Sequence, residues 1–143
     1  MNNLNPIHLE QTFAVSPQVI GEYLTQLHYL QQWFFKELED FSPSLGFSTS
    51  FAFDYNGKTF THCWEVVEAL PQERLVLLWS YKEYSGRVEI HFELSSTPHG
   101  CLVILKEKLL QPFPAIEEFK RTNRKTGWKS VLQYRLVDAV SKV

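Results

Sequence analysis

The side chain best placed for proton chemistry is His62, in the run KTFTHCWEVVEAL, where alternation puts it on one face with Phe60, Trp64 and Val66. An imidazole held among rings can orient a ligand hydroxyl or act as a general base near neutral pH; the same placement also describes a hydrogen-bonded structural histidine. Lys106 and Glu107, in CLVILKEKLL, are candidates for a polar partner, but that run is apolar on both faces, so its inward set stays open. Asn123 and Arg124 near a C-terminal helix start either reach a bound molecule from the rim of a concave site or stand in solvent. Lys120, Arg121, Arg124, Lys125 and Lys129 make a basic run without an acid, suited to an anionic partner or, more commonly, to a solvated helix face. Cys63 and Cys101 lack the C-x-x-C spacing of redox or zinc sites and read as two free, buried thiols. No Ser-His-Asp order, H-E-x-x-H, glycine-rich phosphate loop or cysteine–histidine metal spacing occurs. Metal and nucleotide chemistry therefore have no support, no cofactor is expected, and hydrolysis has no nominated nucleophile.

The elements that must position these groups follow from periodicity. Residues 5–14 alternate as a strand with Ile7, Leu9 and Phe13 on sheet faces, and Ser16-Pro17 then supplies a serine cap and a first-turn proline for a helix. Val19, Ile20, Tyr23, Leu24 and Leu27 recur at helical spacing, and a break near His28 divides the stretch into two short helices that end at Trp33-Phe34. Residues 36–44 have the composition of an exposed loop. From Leu45 the period becomes two, with Leu45, Phe47, Thr49, Phe51, Phe53 and Tyr55 on one face. Asn56-Gly57 makes a tight hairpin turn into the His62 strand. Residues 74–81 form another strand containing Trp79, and Val88, Ile90, Phe92 and Leu94 share one face of the next, leaving Arg87, Glu89, His91 and Glu93 to solvent. With CLVILKEKLL, residues 45–110 hold about five strands joined by short connections, which requires an antiparallel meander. Beyond Pro114, Ile116, Phe119, Trp128, Val131, Leu132, Leu136, Ala139 and Val140 recur at helical spacing over roughly 25 residues. The expected fold is α+β, a curved antiparallel sheet of about six strands wrapped around a long C-terminal helix, in one domain.

Bulk properties fit that reading. In 143 residues, 44% hydrophobic and 15% aromatic content is enough for one compact core. A formal charge of −2, from 14 basic and 16 acidic side chains, creates no global field for nucleic acid or an anionic membrane. The start of the chain has neither the basic nor the apolar region of a leader, and no run approaches the ~18 apolar residues of a membrane span, so a cytoplasmic protein is expected.

Four stretches in order carry a family resemblance: Ser16-Pro17-Gln18-Val19-Ile20 followed by Leu30-Gln31-Gln32-Trp33-Phe34; Glu65 to Leu75, EVVEALPQERL; Leu78-Trp79; and Gly127-Trp128. With the element order, they make the chain resemble the START-like (SRPBCC) helix-grip superfamily, and within it the Hsp90-ATPase-activator homologue-like family. The resemblance covers almost the whole chain and implies a ligand-sized cavity beneath the helix. Relatives are lipid or hormone binders, cyclases and chaperone accessories. The two-part activators of Hsp90 carry an added N-terminal domain for which this length leaves no room, which argues against that activity. Residues 36–46 also lack the small helix or glycine-rich stretch of many relatives, so the cavity mouth is expected to be reshaped. The implied ligand-binding set is Trp33, Phe47, Phe51, Phe53, His62, Trp64, Trp79, Phe92, Phe119, Asn123, Gly127 and Trp128, with ordinary core packing as the alternative for each ring. Gly127, costly inside a helix, suggests a close approach of a strand or ligand there, with a tolerated surface glycine as the alternative. The expected function is binding of a small apolar or amphipathic molecule. The rivals are a cyclase or aromatase in which His62 or Glu107 moves protons, and a chaperone accessory or homodimer acting through its outer surface.

Overall fold

The computed structural model describes residues 5–142; residues 1–4, part of the stretch read as carrying no leader, lie outside that range. The chain runs β1 (Ile7–Phe13), α1 (Pro17–Thr25), α2 (Leu27–Trp33), β2 (Ser48–Tyr55), β3 (Lys58–Leu70), β4 (Arg74–Tyr81), β5 (Arg87–Thr97), β6 (Gly100–Gln111), a 3-10 turn (Glu117–Phe119) and a C-terminal helix. Every strand pairing is antiparallel, in the order β1-β6-β5-β4-β3-β2, giving the α+β helix-grip arrangement with the curved sheet facing the C-terminal helix. Local chemistry explains the joints. Ser16 Oγ accepts a hydrogen bond from Val19 N at 3.3 Å, capping α1 with Pro17 in its first turn. Asn56 and Gly57 both adopt positive φ in the two-residue turn between β2 and β3. A bulge between Val66 and Glu68 lets β3 bend, so the sheet curves round the apolar side.

Several details differ from expectation. The two short helices part at Gln26, whose backbone is extended, rather than near His28. The segment after α2 is not an exposed loop throughout: Leu38 is completely buried and Phe41 half-buried. β2 begins at Ser48, since Gly46 takes φ +87° in a turn closed by Phe47 N donating to Ser44 O; Leu45 is consequently 79% exposed. Tyr55, at the far end of the same alternation, is also exposed. His91 is on the outer face as expected, but it is only 9% exposed, wedged cross-strand between Val76 and Lys106 and held by Glu89 Oε1 at 2.6 Å. In β6 the inward set is Cys101, Val103, Leu105 and Glu107. Both cysteines are free, Cys101 buried and Cys63 only partly so, on the outer side of β3.

The C-terminal helix is shorter than expected, because Ile116 and Phe119 belong to the approach and the 3-10 turn. It consists of α3 (Arg121–Ser130), a π-helical stretch (Val131–Leu136) and α4 (Val137–Val140), helical throughout. Its buried residues are Trp128, Leu132, Leu136 and Val140, each four positions from the last. A four-residue repeat exceeds the 3.6 of an α-helix, so a straight apolar stripe of that spacing needs a wider turn, which the π stretch provides. The helix also runs beside β1. Gln133 Nε2 donates to Glu10 O at 3.1 Å, and Arg121 Nη1 donates to Asn5 O at 2.8 Å just before the strand. No strand flanks the outer side of β2 among the described residues.

Candidate functional site

Phe34 and Phe35, which follow α2, divide the space under the helix. Phe34 is buried and brings the four tryptophans round one ring: centroids lie at 4.7 Å for Trp33, 5.4 Å for Trp64, 5.8 Å for Trp79 and 6.1 Å for Trp128. That half of the interior is packed shut. Phe35, its ring 4.9 Å from that of Phe34, packs against Phe51 and His62, each also at 4.9 Å. Beyond it opens a cleft of about 690 Å³ between the sheet and the start of the C-terminal helix. Its walls are Phe34, Phe35, Phe53, Tyr55, Phe60, His62, Trp79, Tyr81 and Val88 from one side. Glu107 of β6 joins the sheet wall, and Phe113, Glu117, Glu118, Phe119, Asn123, Arg124, Thr126, Gly127, Trp128, Ser130, Val131 and Arg135 close the other. A smaller depression of about 200 Å³ lies between α1 and the β3–β4 turn and holds none of the expected site residues.

Of those expected residues, Phe53, His62, Trp79, Phe119, Asn123, Gly127 and Trp128 line the cleft. Trp33, Phe51, Trp64 and Phe92 are buried in the core away from its wall, and Phe47 packs against Phe41 at 5.9 Å. Trp33 Nε1 donates to Tyr23 O at 2.8 Å, which ties α2 to α1. Gly127 is exposed, and a Cβ built there meets nothing within 4 Å, so no strand approaches it. Phe34, Phe35, Phe60, Tyr81 and Phe113 also form the wall without having been singled out as site residues. The consecutive rings of Trp33-Phe34-Phe35 were the available signal, since three large side chains in a row cannot all share one helix face.

Polar chemistry in the cleft falls into three groups. Glu107, 3% exposed in its side chain, accepts from Arg124 Nε at 3.0 Å and Nη2 at 2.9 Å, while its other oxygen accepts from Trp128 Nε1 at 2.9 Å. Arg124 also donates through Nη1 to Phe119 O at 2.6 Å and stands over the Phe113 ring, 5.5 Å from its centre. Arg124 is therefore a structural cation and no part of a solvated basic face. At the mouth, Glu118 accepts from Lys58 Nζ at 2.7 Å and Asn56 Nδ2 at 3.1 Å, joining the β2–β3 hairpin to the approach of the helix. The Lys58 hydrogen bond holds the Glu118 carboxyl below the usual carboxylate range. Asn123 Nδ2 donates to Glu117 O at 2.7 Å.

The third group is His62 with the rings about it. It stacks on Phe51 at 4.8 Å and 7°, with Tyr81 at 4.8 Å and Trp79 at 5.4 Å. Burial pulls its pKa from 6.5 down to about 3, against a weak opposing pull from Glu83, so the imidazole is uncharged at neutral pH. Burial also pushes the Tyr81 phenol up. Among the described residues no cluster of three or more His, Cys, Asp or Glu side chains could hold a metal ion, and no helix is long and apolar enough to cross a membrane.

Solved structures share this architecture. A Mesorhizobium loti protein is 21% identical, with a TM-score of 0.72 over 96% of this chain and 98% of that one. A Rhizobium leguminosarum protein reaches 0.82 at 13% identity, over 96% and 95% of the two chains. The Aha1 dimer from Colwellia psychrerythraea gives 0.68 at 20% identity, over 94% of each chain. At these identities the likeness is one of fold. No curated protein matches the chain. The family described as Activator of Hsp90 ATPase homolog 1-like protein matches residues 14–141, nearly the full length, and the chain belongs to that family.

Proposed function

We propose that this chain is a cytoplasmic binder of a small apolar or amphipathic molecule, which it holds in the cleft between sheet and helix. The observation that carries this reading is the cleft itself: about 690 Å³, within the range of small-molecule sites, with a predominantly apolar surface built from rings. Burial of the guest's apolar surface, at about 25 cal/mol per Å², supplies the driving force. The test is native mass spectrometry of the protein purified from cells, with a thermal-shift screen of lipids and aromatic metabolites. A co-purified mass or a saturable rise in Tm supports the reading; a protein that stays empty and unshifted across the screen counts against it.

Protonation argues against the cyclase alternative. A base working at neutral pH needs a pKa near it, and His62 stands near 3. Glu107 is committed to Arg124 and Trp128. A chaperone-accessory role is favoured by the family's description, and its measurement is direct: stimulation of Hsp90 ATPase by the purified chain. In that reading the outer surface, with exposed Leu45, Leu70, Leu110 and Tyr134, makes the contacts, and a homodimer is one form in which it acts.

A further inference from the structure

Five charged side chains line the cleft, and four of them have a partner of opposite charge. Glu107 is bound to Arg124, Glu118 to Lys58 and Glu117 to Lys120. Arg135 is the exception. Among the described residues it makes no ion pair, and Asp138, the acid one turn further along the helix, is taken by Lys142 at 3.1 Å. Its hydrogen bond runs from Nη2 to Phe34 O at 2.9 Å, just past the end of α2, and Phe34 itself belongs to the cleft wall. A single donated N–H fixes where the guanidinium stands and leaves the rest of its five donors for other partners. Helix geometry brings that charge to the cleft. Asn123, Gly127, Val131 and Arg135 all line it, four residues apart, beside the buried stripe of Trp128, Leu132, Leu136 and Val140. In an unbroken α-helix three such steps would turn Arg135 about 120° away from Asn123. The wider turn over Val131–Leu136 takes back part of that rotation and keeps the arginine on the cleft side. Between the two ends, a Cβ at Gly127 would meet nothing within 4 Å, so the middle of the stripe offers space and no charge. Asn123 at the far end is committed through Nδ2 to Glu117.

We infer that the guest is an amphipathic carboxylate, with its anionic head paired to Arg135 and a flat apolar body lying over Gly127 and Val131 against the ringed wall of the sheet. This rests on the cleft being a binding site, and it adds the charge and the head group that the site selects. A guanidinium presents paired N–H donors that match the two oxygens of a carboxylate, and a charged pair of this kind is stronger than its neutral counterpart. Charge balance fixes the count. One cation without an acid calls for one negative charge, whereas a phosphate monoester, with nearly two, brings a surplus into an apolar cleft. A cationic guest meets Arg135 as a like charge, and the acids of the cleft are already neutralised by Arg124, Lys58 and Lys120. The plainer role for Arg135 is to satisfy the Phe34 carbonyl at the end of α2 while its charge stands in water. That role predicts no dependence of binding on the charge of the guest.

Three probes with one ring system test this: 2-naphthoate, its uncharged isostere 2-naphthamide, and 2-naphthyl phosphate, titrated calorimetrically into the full chain at pH 7.5. The naphthoate should bind about tenfold more tightly than the naphthamide and at least as tightly as the phosphate. Arg135→Gln removes the charge and keeps an amide that can reach Phe34 O. It should lower naphthoate affinity about tenfold and change naphthamide affinity less than about twofold, while Arg135→Lys should keep part of the preference. Raising the salt from about 50 mM to about 500 mM should weaken the naphthoate and not the naphthamide. Gly127→Phe fills the space over the helix and should weaken both. Equal binding of naphthoate and naphthamide overturns the carboxylate and leaves the cleft as a binding site. A preference that survives Arg135→Gln overturns the assignment to Arg135, and tighter binding by the phosphate overturns the single charge. Unchanged affinities in Gly127→Phe overturn the placement of the apolar body. No saturable binding by any probe removes both the head-group selection and the cleft reading beneath it. If a variant fails to fold, the naphthoate preference and its loss with salt in the unaltered protein still decide.

Discussion

Glu107 is a carboxylate on the inner face of a strand whose other inward residues are Cys101, Val103 and Leu105, and it persists there because Arg124 and Trp128 occupy its oxygens. Removing one member of a buried ion pair leaves the other uncompensated, so Glu107→Ala is expected to cost about 3 kcal/mol in urea denaturation. The double replacement Glu107→Leu with Arg124→Leu should cost less than either single truncation; a larger cost for the double would show that the pair itself holds the helix. His62 carries a pH dependence whose sign follows from its lowered pKa. The unfolded chain takes up a proton near pH 6.5 and the folded chain only near 3, so its contribution is complete above 6.5 and falls as the pH drops towards 3. The loss approaches about 1.4 kcal/mol per pH unit inside that window, and His62→Phe should flatten the slope of stability against pH. Both residues were legible as chemistry from their neighbours in sequence. The partner of Glu107 was not, because Leu102 and Ile104 on the outer side of β6 are as apolar as Val103 and Leu105 on the inner, and only the pairing with β1 and β5 settles the facing.

The C-terminal helix shows how far periodicity carries at the next scale. Its apolar positions were readable, but residues 128, 132, 136 and 140 step by four, and taking them as a 3.6 pattern hides the wider turn at Val131–Leu136. The approach was misjudged for a related reason: Phe119 is apolar at a helical interval yet belongs to a 3-10 turn, stacked on Phe113 at 4.5 Å. Gly127 sits in α3 with open space where a side chain would be, so Gly127→Ala should raise stability by about 1 kcal/mol and Tm by a few degrees. A fall in Tm would mean that something approaches that backbone in solution. Gly86 is the opposite case. It is buried at φ +105°, and a Cβ there would lie 2.5 Å from Phe113 Cδ1 and 2.8 Å from Pro112 O. Gly86→Ala should therefore destabilise by about 2 kcal/mol or more, read in the same denaturation assay, through strain at the backbone and displacement of the Phe113 wall. The hairpins were the most legible elements, since Asn56-Gly57 and strict alternation each state their geometry locally.

At the scale of the molecule, one ring gathers the tryptophans. Because all four surround Phe34, their fluorescence reports the centre of the core as a unit, and its thermal transition should coincide with that of far-UV circular dichroism. An earlier fluorescence transition would mean that the aromatic centre melts apart from the sheet. Phe34→Ala should cost about 3–5 kcal/mol, since no neighbouring backbone can collapse into so large a space. The order of strands and helices was visible from the sequence; the division of the interior into a packed part and an open part was not, because it depends on how Phe34 and Phe35, which follow α2 in a segment with no regular period, pack against the sheet. The two borders of the sheet are also unlike. The carbonyl of Glu10 in β1 is taken by Gln133 from the helix alongside, while β2 has no strand beyond it among the described residues. β2 is thus the border more open to backbone pairing between copies, and a pair joined there by a twofold axis would consume it. Growth in that direction ends with two chains, and the hazard of an endless ribbon is removed by covering one side alone.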